Sequence, residues 1–486
     1  IFTFAGSTND VITLGDDTGI TPISSVSSSE TVTFANPTNS LTVNAGDGND
    51  TITLRALDAL FNVPVTINGD AGDDSITLVA KTGSGTYTMN GGTGTDTVTT
   101  SVATNNTWNI NDNNIGNVTG SVPFTFNGIE NLVGGTGNDT FILANGFGVS
   151  GSITGGTGYD TLDYTAYNTA VSIDLLNATA TNIGANFLSI DKVIGGSASD
   201  TLSATNNANI WTISDNNIGN VTGGASNVDF ESVENLNGGT STDNFVFSNG
   251  KSISGTLAGG AGNDTIDATL YSTALSVVLT SDAASNEFGG TLTGLVGGFT
   301  GINTIQLGSA TTDSITGENS TSTWLFSATS KQYTTNAHTL TFSNIEVLNG
   351  GTGSDTLTVD FNGGSPVPAA GLTFNGGSGA GTDSLVLADT STTFVATTIT
   401  HTFTSSSSGS VNVDSSTVNY TGLEPITDNL STADRIFTFA GSTNDTITLG
   451  DDTGLSKISS TASSETVTFA NPTNSLTVNA GDGNDT

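Results

Sequence analysis

The stretch from Gly134 to Phe141 reads Gly-Gly-Thr-Gly-Asn-Asp-Thr-Phe, and variants of it return along most of the chain. Close copies run from Gly91 to Val98, Gly155 to Leu162, Gly259 to Ile266 and Gly350 to Leu357. Looser copies start at Ala45, Gly69, Gly195, Gly238, Gly376 and Ala480. Glycine lets the backbone adopt positive φ and turn its carbonyls toward one point, and the aspartate adds a carboxylate. Each copy therefore predicts a tight turn that presents oxygen atoms.

The residues on both sides of these turns alternate between apolar and polar. Leu41-Thr-Val-Asn leads into one turn and Asp50-Thr-Ile-Thr-Leu follows it, and the same order returns from Val65 and from Tyr87. This alternation is typical of β-strands with one buried face, so the pattern predicts an apolar core face and a threonine-rich outer wall. The unit is strand, turn, strand, and it repeats about every 21 residues.

Longer repeats are superimposed on this unit. Residues 1–51 and 436–486 align without a gap at an offset of 435 residues and differ at only six positions. A motif that begins at Trp108 returns at Trp211, and a diverged version carries Trp324. We therefore predict one tandem repeat over 1–435, with sub-repeats near 1–105, 106–208, 209–321 and 322–435. Residues 436–486 then begin the next copy, which implies a larger parent protein.

Two architectures fit these repeats: separate β-sandwich domains or one continuous solenoid. A sandwich needs about seven unlike strands joined by hairpins, whereas near-identical strand-turn-strand units can stack in register. No Pro-, Gly- or Ser-rich linker separates the sub-repeats. We predict an all-β fold: a continuous right-handed parallel β-solenoid with coils of about 21 residues, which gives a rod on the order of 100 Å long.

The turn resembles the hemolysin-type calcium-binding repeat of the RTX family, whose consensus is G-G-x-G-x-D-x-U-x with U apolar. The resemblance covers the turns between residues 45 and 386 and again at 480–486, and it implies an exported protein stabilised by Ca²⁺. Carboxylate and carbonyl oxygens are the ligands that calcium prefers. Because one turn offers too few oxygens, an ion would be shared between stacked turns. The candidate metal ligands are Asp47, Asp50, Asp70, Asp74, Asp96, Asp139, Asp160, Asp243, Asp264, Asp355 and Asp383.

A purely structural interpretation of the same turns stays open. Gly-Asn-Asp sequences form good turns, and an aspartate side chain can cap backbone amides. Glu130, Glu234 and Glu346 stand a few residues before turns, where they are solvated or reach a cation. The recurring tryptophans predict core aromatics more strongly than a platform for carbohydrate.

Composition excludes several classes of function. With 45 acidic residues, 7 Lys and Arg and a net charge of -38, the chain repels nucleic acid and anionic membranes and favours metal cations. It has no apolar run long enough to span a membrane, and it has no cysteine. His338, His401, Arg55 and Arg435 are its only histidines and arginines, and nothing in the sequence pairs with them, so we expect no enzyme.

We therefore expect a structural segment of a giant fibre or adhesin at the cell surface or outside the cell. Its expected partners are calcium ions, neighbouring repeats of the same chain, and laterally associated copies or another cell surface. The alternative from a different class is a module that binds carbohydrate or ice through its threonine rows. Those rows are interrupted by Asn, Ser and Asp, which disfavours a flat binding surface.

Overall fold

The computed structural model describes residues 1–15, 21–26, 29–81, 83–101, 103–224, 226–281, 287–379, 381–439, 444–461 and 466–486. Within these ranges every regular element is a β-strand and none is a helix, so the predicted all-β class is confirmed. It follows that no helix in the described part of the chain could cross a membrane. The chain divides into two compact units: residues 1–211 with 215–238, and residues 212–214 with 239–486.

The strands of the first unit, with β23 and β26 reaching across its boundary, are β1 (Phe2–Thr3), β2 (Val11–Leu14), β3 (Thr21–Ser25), β4 (Glu30–Phe34), β5 (Leu41–Asn44), β6 (Thr51–Leu54), β7 (Val65–Ala71), β8 (Ser75–Leu78), β9 (Tyr87–Thr93), β10 (Thr97–Thr100), β11 (Asn106–Asp112), β12 (Ile115–Gly120), β13 (Phe124–Asn127), β14 (Asn131–Gly135), β15 (Thr140–Leu143), β16 (Ile153–Gly156), β17 (Thr161–Asp163), β18 (Ser172–Asp174), β19 (Thr179–Ala180), β20 (Phe187–Leu188), β21 (Lys192–Ile194), β22 (Thr201–Ser203), β23 (Asn209–Asp215), β24 (Ile218–Gly223), β25 (Ser226–Glu231) and β26 (Asn235–Gly239).

The strands of the second unit are β27 (Asn244–Phe247), β28 (Ile253–Gly260), β29 (Thr265–Asp267), β30 (Ser276–Ser281), β31 (Phe288–Thr293), β32 (Val296–Ile302), β33 (Thr304–Gln306), β34 (Ser314–Thr316), β35 (Ser322–Ser327), β36 (Lys331–Thr335), β37 (His338–Ser343), β38 (Val347–Gly351), β39 (Asp355–Asp360), β40 (Leu372–Gly377), β41 (Ser384–Ala388), β42 (Val395–Phe403), β43 (Ser408–Val413), β44 (Ser416–Thr421), β45 (Ile426–Asp428), β46 (Ser431–Phe439), β47 (Ile447–Asp452), β48 (Leu455–Ser460), β49 (Thr466–Phe469) and β50 (Ser475–Asn479).

Most of these strands stack in parallel and in register, as in a β-solenoid. One column of paired apolar residues in the first unit runs through Ile12, Ile52, Ile76, Val98, Leu132, Ile153 and Phe187. Six of these seven side chains are at most 1 % exposed, and Phe187 is 6 % exposed. Strand alternation places every second residue in this core, which confirms the predicted apolar face. The fold is thus a solenoid with long sheets of mostly parallel strands.

The intervals between parallel partners are uneven because antiparallel hairpins are inserted. Leu132 pairs with Ile153, 21 residues on, whereas Val98 pairs with Leu132, 34 residues on. The longer interval contains β11, β12 and β13, which form an antiparallel meander whose outer strands pair in parallel with their neighbours. The same arrangement is formed by β35, β36 and β37. The sequence analysis did not predict these hairpins.

The tryptophan motif marks such meanders. Trp108 lies in β11 and Trp324 in β35, each the first strand of its meander. All three tryptophans are at most 1 % exposed, and Trp108 stacks on Phe141 of β15 with 5.5 Å between ring centroids. The prediction that these residues belong to the core is confirmed, and the buried rings leave no platform for a sugar.

Candidate functional site: a ladder of buried aspartates

In every copy of the turn except the one at 480–486, an aspartate stands at or just before the start of a strand, and its side chain is buried. Nine of the eleven predicted ligands are at most 6 % exposed: Asp50, Asp74, Asp96, Asp139, Asp160, Asp243, Asp264, Asp355 and Asp383. The other two, Asp47 and Asp70, are exposed on the turns themselves. The structure therefore separates the predicted set into an inner and an outer group.

The inner carboxylates bond to the backbone of the neighbouring coil. The amide of Asp10 donates to Asp50 Oδ1 at 2.6 Å, that of Asp50 to Asp74 Oδ1 at 2.7 Å, and that of Asp74 to Asp96 Oδ1 at 2.8 Å. Each aspartate thus accepts a bond from the coil before it and donates one to the coil after it. We call this chain of buried turn aspartates, linked by Oδ1 to amide bonds, the aspartate ladder.

The ladder recurs in both units. In the first, Asn106 N donates to Asp139 Oδ1 at 2.8 Å and Asp139 N donates to Asp160 Oδ1 at 2.7 Å. In the second, Asp243 N donates to Asp264 Oδ1 at 2.7 Å and Asp355 N donates to Asp383 Oδ1 at 2.8 Å. Bonds to an ionised acceptor contribute about 1.5–3 kcal/mol each, which offsets part of the cost of burying the carboxylates.

Other acceptors replace aspartate where the next coil carries no turn copy. Glu130 Oε2 accepts the amide of Asp96 at 2.7 Å, and Glu234 Oε2 accepts the amide of Asp200 at 2.9 Å. Asn303 Oδ1 likewise accepts the amide of Asp264 at 2.8 Å. The two glutamates had been assigned to solvent or a cation; their longer side chains instead reach the buried amide.

Two further ladder aspartates, Asp200 in the looser copy at Gly195 and Asp313, were not among the predicted ligands. Asp200 and Asp313 are at most 1 % exposed and accept bonds from Val171 N at 2.7 Å and Leu275 N at 2.6 Å. Their turns lack part of the glycine pattern. The signal that could have found them is the aspartate that stands directly before an alternating strand.

In most copies of the turn the first residue is a glycine, which makes room for the carboxylate; the copies at Ala45 and Ala480 have alanine there. A Cβ built on Gly134 would lie 2.5 Å from Asp139 Oδ2 and 2.5 Å from the carbonyl oxygen of Gly155 in the next coil. Any side chain there would displace both oxygens. The second glycine of the same turn, Gly135, has φ of +116°, a conformation that other residues rarely adopt.

The second carboxylate oxygen, Oδ2, of most ladder aspartates is buried without a hydrogen-bond partner. This holds for Oδ2 of Asp50, Asp74, Asp96, Asp139, Asp160, Asp264, Asp313 and Asp355. Burial raises the pKa of Asp74 to about 7 and that of Asp139 to about 6, although bonds from the backbone oppose the shift. Near neutral pH these sites therefore lie between the charged and the protonated form, and a proton or a cation would satisfy the free oxygen.

The outer group lies on the edge of the same turns. Asp70 has φ of +73°, Asp47 forms a parallel bridge with Ala71, and Asp73 accepts the amide of Thr95 at 2.8 Å. Asp73 is exposed like the other two. Across the described ranges, no three side chains from His, Cys, Asp and Glu come together as a metal-binding group. Backbone carbonyls would therefore have to supply most ligands of any bound ion.

A second buried charged group lies near the end of the long repeat. His401 Nε2 is 2.8 Å from Asp428 Oδ2, and Arg435 bonds to the same oxygen and to the carbonyl of Leu430. None of the three side chains is exposed. The expectation that His401 and Arg435 have no partners was wrong, because their partner stands 27 residues from the histidine and only folding brings it near.

Comparison of the chain with protein-family models and with the sequences of curated proteins finds no match.

Proposed function

We propose that this chain is a structural segment of a long extracellular protein of tandem copies, a calcium-stabilised fibre or surface adhesin. The observation that carries the proposal is the joint between copies. Residues of the second copy in β46 and β49 pair in parallel with β42 and β45 of the first. Because the second copy continues the sheets of the first without a linker, each added copy would lengthen the same sheets, as in an elongated repeat protein.

Calcium is the proposed counter-ion of the turns. The free Oδ2 of a ladder aspartate and a carbonyl of the next coil face one space, and exposed carboxylates such as Asp70 stand on the same turn. These are hard oxygen donors, so the donor set suits calcium. A bound ion would neutralise the buried charge, and because the site needs stacked coils, its binding would stabilise the fold.

A non-catalytic role is part of the proposal. His401 and Arg435 are fully buried, so neither reaches a substrate from solvent. Their bonds to Asp428 give them a structural use. General acid-base catalysis requires a group within hydrogen-bond reach of the substrate.

Bead clustering tests the proposed contact function. Beads coated with the chain should cluster with each other or bind cells in millimolar calcium and disperse in chelator. Beads coated with an unrelated acidic protein are the control for charge alone. Inert, unclustered beads under both conditions, with a chain that sediments as a monomer, would count against a fibre or adhesin.

A second candidate, ligand binding through the threonine wall, has one observation in its favour. Thr42, Thr66, Thr88 and Thr125 are paired in register across four strands. However, Thr125 donates to Thr88 Oγ1 at 3.1 Å, so part of this row is bonded to itself. Binding of the chain to a glycan array, or inhibition of ice growth, would favour this candidate.

A further inference from the structure

The two near-identical segments of the chain show the same residues in two surroundings. Their internal structure agrees: the ring centroids of Phe2 and Phe34 are 4.9 Å apart, and so are those of the equivalent Phe437 and Phe469. Strands β2, β3 and β4 of the first copy pair as β47, β48 and β49 do in the second. Any difference in exposure therefore comes from what packs on them.

Exposure differs strongly on one side of the segment. Val467 is fully buried, whereas its equivalent Val32 is 43 % exposed. Phe437 and Phe439 are at most 3 % exposed, whereas the equivalent Phe2 and Phe4 are half-buried. In the first copy these residues border an open groove of about 410 Å³, which is also lined by Asp10, Ile23 and Glu30. We call the surface of Phe2, Phe4 and Val32 the docking face.

The second copy shows what covers this face. Phe437 stacks on His401 with centroids 4.9 Å apart, and Phe439 packs on Phe403 at 4.7 Å. The backbone register is also defined: His401 pairs with Phe437 and Phe403 with Phe439. On the other strand, Ile426 pairs with Val467.

We propose that the docking face binds the last coil, residues 395–435, of another copy of this repeat. Thr400–Phe403 of that copy pairs with Ile1–Phe4, and Ile426–Asp428 pairs with Val32–Phe34. The proposal rests on the tandem-repeat function and deepens it, because it names the partner surface and its register. Parallel strand addition satisfies the free edge groups of β1 and β4 and buries the three apolar side chains.

The charges of the incoming coil support this occupant. Asp428 and Arg435 both belong to that coil and neutralise one another, and His401 of the same coil bonds to the same carboxylate. The guanidinium of Arg435 also lies over the ring of Phe469, 5.4 Å from its centroid, and Phe34 is the equivalent ring. The buried Asp428 and Arg435 of the coil are therefore paired where the coil meets the docking face, and an unpaired buried charge there would be costly.

Hydrogen exchange with peptide mass analysis tests the proposal on the full chain. The peptides 1–14 and 436–449 differ only by Val11 and Thr446, so they are distinguished by mass. In the chain as it stands, we expect the amides of Phe2–Phe4 to exchange about tenfold or more faster than those of Phe437–Phe439. In the chain extended before Ile1 by residues 395–435, the peptide 1–14 should become as protected as 436–449.

Two controls make the result decisive. An extension with the same residues in permuted order should leave the peptide 1–14 unprotected. Val32→Asp, which is tolerated where Val32 is exposed, should abolish the protection given by the true extension. Unchanged exchange with the true extension, equal protection by the permuted one, or protection that survives Val32→Asp would each overturn the proposal. None of these outcomes depends on calcium or adhesion, so the proposed function is judged separately.

Discussion

Buried carboxylates with one bonded and one free oxygen recur in both units of the described chain. Oδ1 of Asp139 accepts the amide and the side-chain Nδ2 of Asn106, at 2.8 and 3.0 Å, while its Oδ2 faces the carbonyl of Gly155. From the sequence, Asp139 was predicted to be a metal ligand, but the direction of its side chain was not predicted. Whether the side chain points outward or inward depends on the coil that stacks on it. The residues of that coil are distant in sequence, so the local sequence does not determine the direction.

Two substitutions at Asp139 separate the roles of its oxygens. Asp139→Ala removes the acceptor of a buried amide and should lower the free energy of unfolding by about 1–3 kcal/mol. Asp139→Asn keeps that acceptor and points an amide donor at the carbonyl of Gly155, so without calcium it should be neutral or stabilising. Denaturant unfolding of both variants measures this, with Asp112→Asn on an exposed hairpin as the control. An asparagine variant as unstable as the alanine variant would contradict the ladder geometry.

The raised pKa values of Asp74 and Asp139 predict how stability changes with pH. These groups bind protons more tightly in the folded chain than in the unfolded chain, where the pKa is near 3.8. Their contribution is therefore fully present below pH 3.8 and is lost as the pH rises through about 6 to 7. In chelator, the melting temperature should be several degrees higher near pH 5 than near pH 8. A melting temperature that rises with pH over this range would contradict the raised values.

At the scale of elements, strand alternation and glycine turns were predicted from the sequence, whereas the meanders were not. Apolar residues such as Ile52 and Ile76 alternate with polar residues in the sequence, and this alternation predicts that they lie in the core. The hairpin at Asn114, with φ of +58°, lies inside the tryptophan motif, which we took for a long repeat of solenoid strands. Asparagines at a two-residue turn between alternating runs were the available signal.

The position of Gly134 should not tolerate a side chain. Gly134→Ala would place a Cβ against Asp139 Oδ2 and the carbonyl of Gly155, so we expect a loss of about 1–3 kcal/mol in unfolding free energy. Gly450→Ala is the matched control, because a Cβ there would meet nothing within 4 Å. Thermal melts of the two variants measure the difference. Equal melting temperatures would mean that the coils do not stack as closely as described.

At the scale of the whole molecule, residues 1–51 and 436–486 allow nearly the same sequence to be compared in two different surroundings. The sequence predicted that a second copy begins at Ile436, but not how it joins the first. The joint depends on contacts between residues far apart in sequence, such as His401 with Phe437 and Ile426 with Val467. Such contacts become visible only when the coils are stacked.

Equivalent substitutions in the two copies should have unequal effects. Phe437→Ala removes a fully buried ring and should cost about 3–5 kcal/mol in the stability of the joint. Phe2→Ala removes a half-buried ring that lines an open groove and should cost clearly less. Denaturant unfolding followed by circular dichroism compares them. Equal losses would contradict the difference in packing between the two segments.

The central claim is that the ladder carboxylates need a proton or a calcium ion to stack without penalty. Thermal melts at fixed ionic strength, in chelator and in millimolar calcium, near pH 5 and near pH 8, test it most directly. We predict that calcium raises the melting temperature strongly near pH 8 and only weakly near pH 5, where protons already occupy the carboxylates. Asp139→Asn should reduce the calcium effect near pH 8. Identical melts with and without calcium at both pH values would contradict the claim.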